Sequence, residues 1–315
     1  MNSKQIRHSL LLVLTAFIWG IAFVAQREGG DAIGPLSFNG IRSLMGGIVL
    51  IPVIWLLDFL KLTKRRPKTK KEWKVTLRGG VLCGIVLCVA TNLQQLGLNM
   101  GTTAGKAGFL TACYILLVPI LGIFLKRKCG LHIWIAVALA LVGLYFLCMS
   151  EELRIEFSDI LVLLCALCFA VQIMIVDHYS PITDGVRLSC IQFLTCGILG
   201  TLLMIPTEMK PFSGGFAAWI APFGSFNVWI PLLYAGIFSC GMAYTFQIVG
   251  QEGLNPTVAS LLMSLESVFA VLAGAVLLKE YLTGKEFLGC GLMFGAIVLA
   301  QLPIGEKRSR SYDDN

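Results

Sequence analysis

Three charged side chains lie deep inside long apolar stretches of this sequence: Arg42, Lys106 and Glu266. An ionisable group inside a bilayer costs roughly 2.5–3.5 kcal/mol, so each one needs a partner, a water-filled cavity or a function. Glu266 lies about ten residues into its stretch, roughly 15 Å deep at 1.5 Å per residue, which is close to a bilayer midplane. A carboxylate there can bind an ammonium group, take up a proton when it is desolvated, or join helices through a buried pair.

The two buried cations have different expected roles. Lys106 lies some four residues into its stretch, where it can pair with Glu266, attract the carboxylate of a bound molecule, or extend to the membrane surface. Arg42 lies roughly seven residues, or about 10 Å, into its stretch. Its five N–H donors suit bonds to backbone carbonyls or helix ends. We predict this architectural role for Arg42, with direct contact to a bound molecule as the alternative.

Uncharged polar side chains recur in two related stretches. Asn92 and Gln95 match Tyr244 and Gln247 when the sequence is shifted by 152 positions. Amides supply hydrogen-bond donors and acceptors without the cost of a charge, so these positions suit the lining of a polar cavity. Hydrogen bonds between helices explain the four side chains equally well.

Two aromatic residues complete the set of candidate binding residues. Tyr114 matches Glu266 under the same shift, so the two related stretches offer a phenol and a carboxylate at equal depth. Trp19 either stacks on a bound molecule or fills space against a neighbouring helix, and Gly20 beside it is expected to be architectural.

The composition shows that these residues lie in a membrane protein. Of 315 residues, 57% are hydrophobic and 14% are charged, and the mean hydropathy is +0.81. A soluble domain has about 25% charged residues. The apolar stretches run without alternation, which excludes a membrane β-barrel. The basic residues behind the net charge of +7 lie in short connections, which indicates membrane topology and not nucleic-acid binding.

Apolar runs and their breakers predict an all-α integral membrane protein with ten transmembrane helices. With the N-terminus inside, 18 Lys and Arg fall on the cytoplasmic side and five on the outer side. Both termini of this multi-pass plasma-membrane protein are therefore expected in the cytoplasm. The predicted helices cover about 9–26, 35–57, 77–96, 103–125, 131–149, 159–177, 187–205, 228–249, 256–278 and 286–303.

The two halves of the sequence are related to each other. The shift of 152 superposes Gly84 on Gly236 and Cys88 on Cys240, and it matches predicted helices three to five with eight to ten without a gap. A shift of 150 aligns the first helix with the sixth more weakly. Because each half has five helices, an odd number, the halves must enter the bilayer in opposite senses and form an inverted-topology repeat. The predicted units are 1–150 and 151–305, followed by a cytoplasmic tail at 306–315.

Four short motifs stand out along the chain. They are Trp-Gly then Phe in the first helix (Trp19, Gly20, Phe23), Pro then FxxxR in the second (Pro35, Phe38, Arg42), a Glu in the ninth (Glu266), and a Leu-Leu-x-Glu-x-Leu-Thr turn ending at Thr283. With the two matching halves, they make essentially the whole chain resemble the EamA branch of the drug/metabolite transporter superfamily. Ser267 departs from the pattern, since the family often has proline after the glutamate.

The resemblance implies a central cavity and transport of small organic metabolites, often amino acids, with no ATPase activity and no obligatory cofactor. We therefore expect a secondary transporter that works by alternating access, in the export direction, with a small molecule and the lipid bilayer as its partners. Proton coupling through Glu266 is a mechanistic variant. A receptor is disfavoured by the inverted repeat, and an enzyme by the lack of a cluster of Asp, His or Cys at one membrane face. A channel is the remaining alternative.

Overall fold

The computed structural model describes residues 3–63, 65–102, 104–126, 130–148, 156–209, 215–277 and 283–302. Within these ranges the chain forms helices and turns and has no strand, so the prediction of an all-α protein is confirmed. We number the ten long helices α1 to α10. They are α1 Ser3–Ile33, α2 Pro35–Phe59, α3 Lys70–Asn99, α4 in two parts (Ala104–Ala112 and Tyr114–Phe124), α5 Leu131–Cys148, α6 Phe157–Tyr179, α7 Gly185–Met204, α8 in three parts (Phe226–Leu233, Tyr234–Ala243 and Tyr244–Gln251), α9 in two parts (Pro256–Met263 and Glu266–Leu277) and α10 Gly284–Gln301.

In the described part of the chain, nine of these helices are long and apolar enough to cross a membrane. The tenth, α10, begins with the charged pair Lys285 and Glu286 and packs along α5. Each predicted span falls on one of the ten helices, and several helices begin earlier than their apolar run does. For example, α3 begins at Lys70, because Thr69 and Glu72 form a capping box that stabilises one polar turn before the apolar stretch.

Side-chain contacts between helices establish their relative directions. In α1 and α8, Thr15 donates to the carbonyl of Ala243 and Tyr234 donates to that of Ile18, so these helices are antiparallel. Glycine contacts make α8 parallel to α2, α2 antiparallel to α7, α7 parallel to α3, and α3 antiparallel to α6. It follows that α6 runs opposite to α1. The second half is therefore inverted relative to the first, as predicted.

Matching residues of the two halves make matching contacts. We call two residues twins when they are related by 150 positions between α1–α2 and α6–α7, or by 152 between α3–α4 and α8–α9. At the crossing of α2 and α7, a Cβ on Gly47 would lie 2.8 Å from Leu194, and a Cβ on its twin Gly197 would lie 2.7 Å from the twin Leu44. Residues 29–50 and 179–200 also share the same pattern of buried and exposed positions. The halves are thus related by a pseudo-two-fold axis that passes through this crossing.

Polar contacts tie the two halves together at both ends of the bundle. We call the end where α1 begins the N face and the other end the opposite face. At the N face, Asp58 of α2 pairs with Arg187 of α7, and Arg65 pairs with Glu252, 3.0 Å away. At the opposite face, the twin of Asp58 is Glu208, whose carboxylate accepts the backbone N–H of Leu36 and of Ser37 at 2.8 and 2.7 Å. The two halves are therefore joined at both faces.

A short aromatic segment lies against the opposite face. It consists of the helix Gly215–Ile220 and the 3₁₀ turn Ala221–Gly224. Trp219 lies 5.1 Å from the ring of Phe223, and its indole N–H donates to the Ser37 hydroxyl at 2.9 Å. Phe216 is exposed. An amphipathic aromatic segment of this kind suits the interface between lipid and water.

The glycine contacts at the α2–α7 crossing make a testable prediction. A methyl group added at Gly197 would lie 2.6 Å from the backbone nitrogen of Leu44, which cannot move away as a flexible side chain would. Overpacking of this kind costs about 1–3 kcal/mol. We therefore expect Gly197→Ala to lower the midpoint of thermal unfolding of the purified protein in detergent. The matched control is Gly291→Ala on α10, because no atom lies within 4 Å of that added methyl. If Gly197→Ala were as stable as Gly291→Ala, the crossing would not depend on close packing.

Candidate functional site: a polar cavity near the midplane

A polar cavity lies where the two halves meet, near the middle of the helices. It is enclosed by α1 to α4, α6, α8 and α9. Space for the centres of water-sized molecules amounts to about 50 Å³, which is several times what one water molecule requires. The lining residues are Trp19, Gln26, Arg42, Thr91, Gln94, Thr111, Tyr114, Phe169, Gln172, Ile173, Ser239, Tyr244, Gln247, Met263 and Glu266.

Breaks in two twin helices place the central polar groups of the cavity. Helix α4 is interrupted at Cys113 and α9 at Ser264 and Leu265, and the residues that follow these breaks are Tyr114 and Glu266. No proline is needed in α9. The Ser264 hydroxyl donates to the carbonyl of Leu261 at 2.8 Å, and such back-bonding by serine bends helices. The twin phenol and carboxylate therefore face one cavity from opposite halves, as their matching depths predict.

Gly20 allows α1 to come close to α9 at the cavity. A Cβ at this position would lie 2.7 Å from Cβ of Phe269 and 2.8 Å from the carbonyl oxygen of Glu266. The neighbouring Trp19 thereby reaches the cavity, where its ring lies 4.6 Å from the ring of Tyr244. One wall of the cavity is thus an aromatic pair next to the break in α9.

Several polar atoms of the lining have no hydrogen-bond partner in the described part of the protein. They include the indole nitrogen of Trp19, the hydroxyl of Tyr114 and the side-chain oxygen of Gln247. The carboxylate of Glu266, which is 6% exposed, has neither a hydrogen bond nor an ion pair among those residues. Buried polar groups normally find partners, and unpaired ones cost about 1–3 kcal/mol each. Unpartnered groups that face a cavity are available to bind a polar molecule.

A chain of three amides supports the cavity from the second half. Gln247 donates to Gln172, and Gln172 donates to Gln192, each over 3.1 Å. All three are almost fully buried. The chain links α8, α6 and α7 and holds Gln172 and Gln247 in place at the cavity wall.

Three predicted binding residues lie elsewhere. Asn92 donates to the carbonyl of Cys88 and accepts from Asn39, so it joins α3 to α2. Gln95 donates to the carbonyl of Gln26 at 3.4 Å. Both amides therefore form hydrogen bonds between helices, which was the alternative to lining the cavity. Each has a hydrogen-bond partner on a neighbouring helix.

Lys106 is the third predicted binding residue outside the cavity. Its ammonium group pairs with Asp159 at the start of α6, 2.5 Å away, and Thr102 donates to the same carboxylate at 3.0 Å. The pairing with Glu266, one of the three alternatives for Lys106, is not present among the described residues. Asp159 lies near the opposite face, within reach of a lysine that enters α4 by less than one turn, whereas Glu266 lies deeper.

Arg42 does line the cavity, although the sequence indicated an architectural role. Its guanidinium lies over the ring of Phe38, 5.3 Å from the centroid. Among the described residues it forms none of the expected bonds to carbonyls or helix ends, and its Nε atom is buried without a partner. The reason is geometric, since Arg42 is directed into the cavity and not toward a helix end.

Sequence reasoning missed several small or neutral lining residues. Thr91 and Thr111 are small and uncharged, so nothing in the sequence distinguishes them from other polar residues of the helices. The Thr91 hydroxyl donates to the carbonyl of Leu87. Gln94 donates to Thr111 at 3.0 Å. Phe169 is the twin of Trp19, so the repeat could have identified it. In the described part of the chain, no three His, Cys, Asp or Glu side chains are placed to hold a metal ion.

The fold and the cavity together define a polytopic membrane transporter, in which two inverted halves surround a polar central site. The chain belongs to the EamA-like transporter family, whose model matches residues 7–149 and again 156–302. This confirms the resemblance and the two repeats.

Named relatives agree with this assignment, and a solved structure shares the fold. An uncharacterized transporter of Archaeoglobus fulgidus is 29% identical, over 96% of this chain and 88% of its own length. The uncharacterized transporter YwfM of Bacillus subtilis is 26% identical over 96% and 97%, and the uncharacterized inner membrane transporter YedA of Escherichia coli is 23% identical over 90% and 87%. A crystal structure with 17% identity shares the fold, with a TM-score of 0.72 over 93% of this chain and 96% of that chain.

The ion pair of Lys106 makes a second prediction. We expect Lys106→Met and Asp159→Asn each to destabilise the protein by up to about 3 kcal/mol, because each removes one partner of an ion pair whose carboxylate is buried. The double variant should lose less stability than the sum of the losses in the two single variants, as measured by thermal unfolding in detergent. Lys285→Met, at an exposed position of α10, is the control. Additive losses would show that the pair does not contribute to stability.

Proposed function

We propose that this protein is a secondary transporter that moves small organic metabolites, amino acids or related compounds, across the plasma membrane by alternating access, in the export direction. The observation that supports this most directly is the cavity itself. It lies near the midplane between two inverted halves, and its lining combines an aromatic pair with unpartnered polar groups. A small solute with an apolar body and polar ends fits such a lining.

The polar ties at the two faces suit alternating access. Asp58 and Arg187 join the halves at the N face, whereas Glu208 and Ser37 join them at the opposite face. Each set consists of a few charged or hydrogen-bonded contacts at the ends of α2 and α7. In our proposal one set breaks while the other stays closed, so the cavity opens to one side at a time.

Glu266 is the proposed recognition site for the positive end of the solute. Its carboxylate lies at the break in α9, is almost fully buried and has no partner among the described residues. A substrate ammonium group would supply the missing countercharge. In the alternative mechanism the carboxylate takes up a proton in one conformation, and transport then depends on a proton gradient.

Transport in proteoliposomes tests this proposal. We expect saturable uptake of at least one member of a labelled amino-acid panel, and counterflow when vesicles are preloaded with the same unlabelled compound. Glu266→Gln should reduce uptake at least about tenfold, because the neutral amide cannot balance a buried ammonium group. An imposed proton gradient should stimulate the wild type only if Glu266 also carries protons.

Glu28→Gln is the matched control, since the same chemical change is made at an exposed position of α1. Uptake without saturation or counterflow would indicate a channel. Unchanged uptake by Glu266→Gln would make Glu266 a structural residue. Efflux from preloaded cells tests the direction, because an exporter lowers the cellular content of its substrate.

The proposed orientation has both termini in the cytoplasm, which places the N face there. A fluorescent protein fused after residue 315 should then be bright in Escherichia coli, because it folds in the cytoplasm. Alkaline phosphatase fused within the long connection after α7 should be active, because it folds only in the periplasm. The reverse result for both fusions would overturn the orientation.

A further inference from the structure

Resting on the proposed function, we infer that Arg42 is the anion-binding residue of the cavity and holds the carboxylate of a zwitterionic solute whose ammonium group lies at Glu266. Arg42 is 4% exposed, and it lines the cavity. Within the described residues it has no hydrogen bond and no ion pair. A buried guanidinium without a countercharge is costly, so an anionic ligand would stabilise it strongly.

Comparison with the twin position explains why Arg42 is left without a partner. The twin of Arg42 is Gln192, which accepts a hydrogen bond from Gln172 of the amide chain. The twin of Gln172 is Ala22, which is fully buried and has no polar side chain. The first half therefore lacks the bridging amide, and the guanidinium at the position of Gln192 is directed to the cavity instead.

Arg42 and Glu266, the two ionisable groups in this argument, do not form an ion pair with each other. In the described part of the protein, no ion pair joins Arg42 to Glu266, although both side chains line the same small cavity. One cation and one anion held apart match a molecule that carries both charges at separate ends. A free amino acid has this arrangement, with a carboxylate that the guanidinium fork binds through two parallel N–H donors.

The charge balance favours a carboxylate over a phosphate group. The cavity contributes one positive and one negative charge, so a zwitterion keeps the closed site neutral. A phosphate ester carries nearly two negative charges, and one would remain uncompensated beside Glu266 in a low-dielectric site. A simple amine would leave Arg42 unpaired, and a simple carboxylate would leave Glu266 unpaired.

Binding to the purified protein in detergent tests the inference separately from transport. Each amino acid of the panel is compared with its decarboxylated amine and its deaminated acid, with inorganic phosphate as a further probe. We expect the wild type to bind a zwitterion at least about tenfold more tightly than either analogue. Arg42→Gln, which installs the residue of the twin position, should weaken binding of the zwitterion about 10- to 100-fold and leave the affinity for the amine unchanged. The zwitterion affinity of Arg42→Lys should lie between those of the wild type and Arg42→Gln. Lysine keeps the positive charge but cannot donate two parallel N–H bonds as the guanidinium does.

The controls separate failure of this inference from failure of the proposed function. Arg78→Gln makes the same change at an exposed position of α3 and should bind like the wild type. Size-exclusion profiles identify any variant that does not fold, and Arg42→Lys then carries the comparison. Equal zwitterion affinity in wild type and either folded Arg42 variant would overturn the role of Arg42, while transport itself would stand. A wild type that binds only amines or only phosphate would also overturn it. A wild type that neither binds nor transports any probe would overturn both proposals.

Discussion

Lipid supplies no hydrogen-bond partners, and under this constraint many polar side chains inside the bundle fall into one of two groups. In the first group, side chains pair within the protein, as the amides of Gln172, Gln192 and Gln247 do with one another. In the second group, side chains face the cavity and have no hydrogen bond or ion pair among the described residues, as is the case for Arg42 and Glu266. The first group holds the helices in place, and the second makes the cavity chemically selective. The same constraint therefore accounts for the stability of the bundle and for the character of its site.

The scaffold is nearly symmetric, whereas the chemistry of the cavity is not. Reciprocal glycine and leucine contacts at the α2–α7 crossing repeat across the pseudo-two-fold axis. Polar twins differ, since Tyr114 stands opposite Glu266 and Arg42 occupies the place of Gln192. A symmetric backbone brings equivalent positions to one cavity, and different residues at those positions give its walls different charges. The cavity lining therefore includes a guanidinium and a carboxyl group that come from different halves of the chain.

Much of the fold could be predicted from the sequence, because apolar length and the internal repeat are strong signals. The candidate site was predictable only in part. Depth along a helix predicted that Glu266 and Tyr114 lie near the middle of the bundle, and both line the cavity. Depth does not tell which way a side chain points, so the sequence left cavity lining and contacts between helices as equal alternatives for Asn92 and Gln95, which join helices. The partner of Lys106 could not be identified from the sequence, because Asp159 lies 53 residues away, in the other half of the repeat. Such pairings depend on how the helices pack, which cannot be predicted from a single sequence.

The breaks in α4 and α9 have a mechanical consequence. A continuous helix transmits a tilt along its whole length, so a movement at one membrane surface would displace everything along it. A helix that is interrupted near its middle couples its two arms less firmly, because i→i−3 bonds such as those of Cys113 and Leu265 replace the regular α-helical bonds there. Tyr114 and Glu266 directly follow these interruptions. A tilt of either arm would therefore displace these two residues less than it would displace the ends of the bundle.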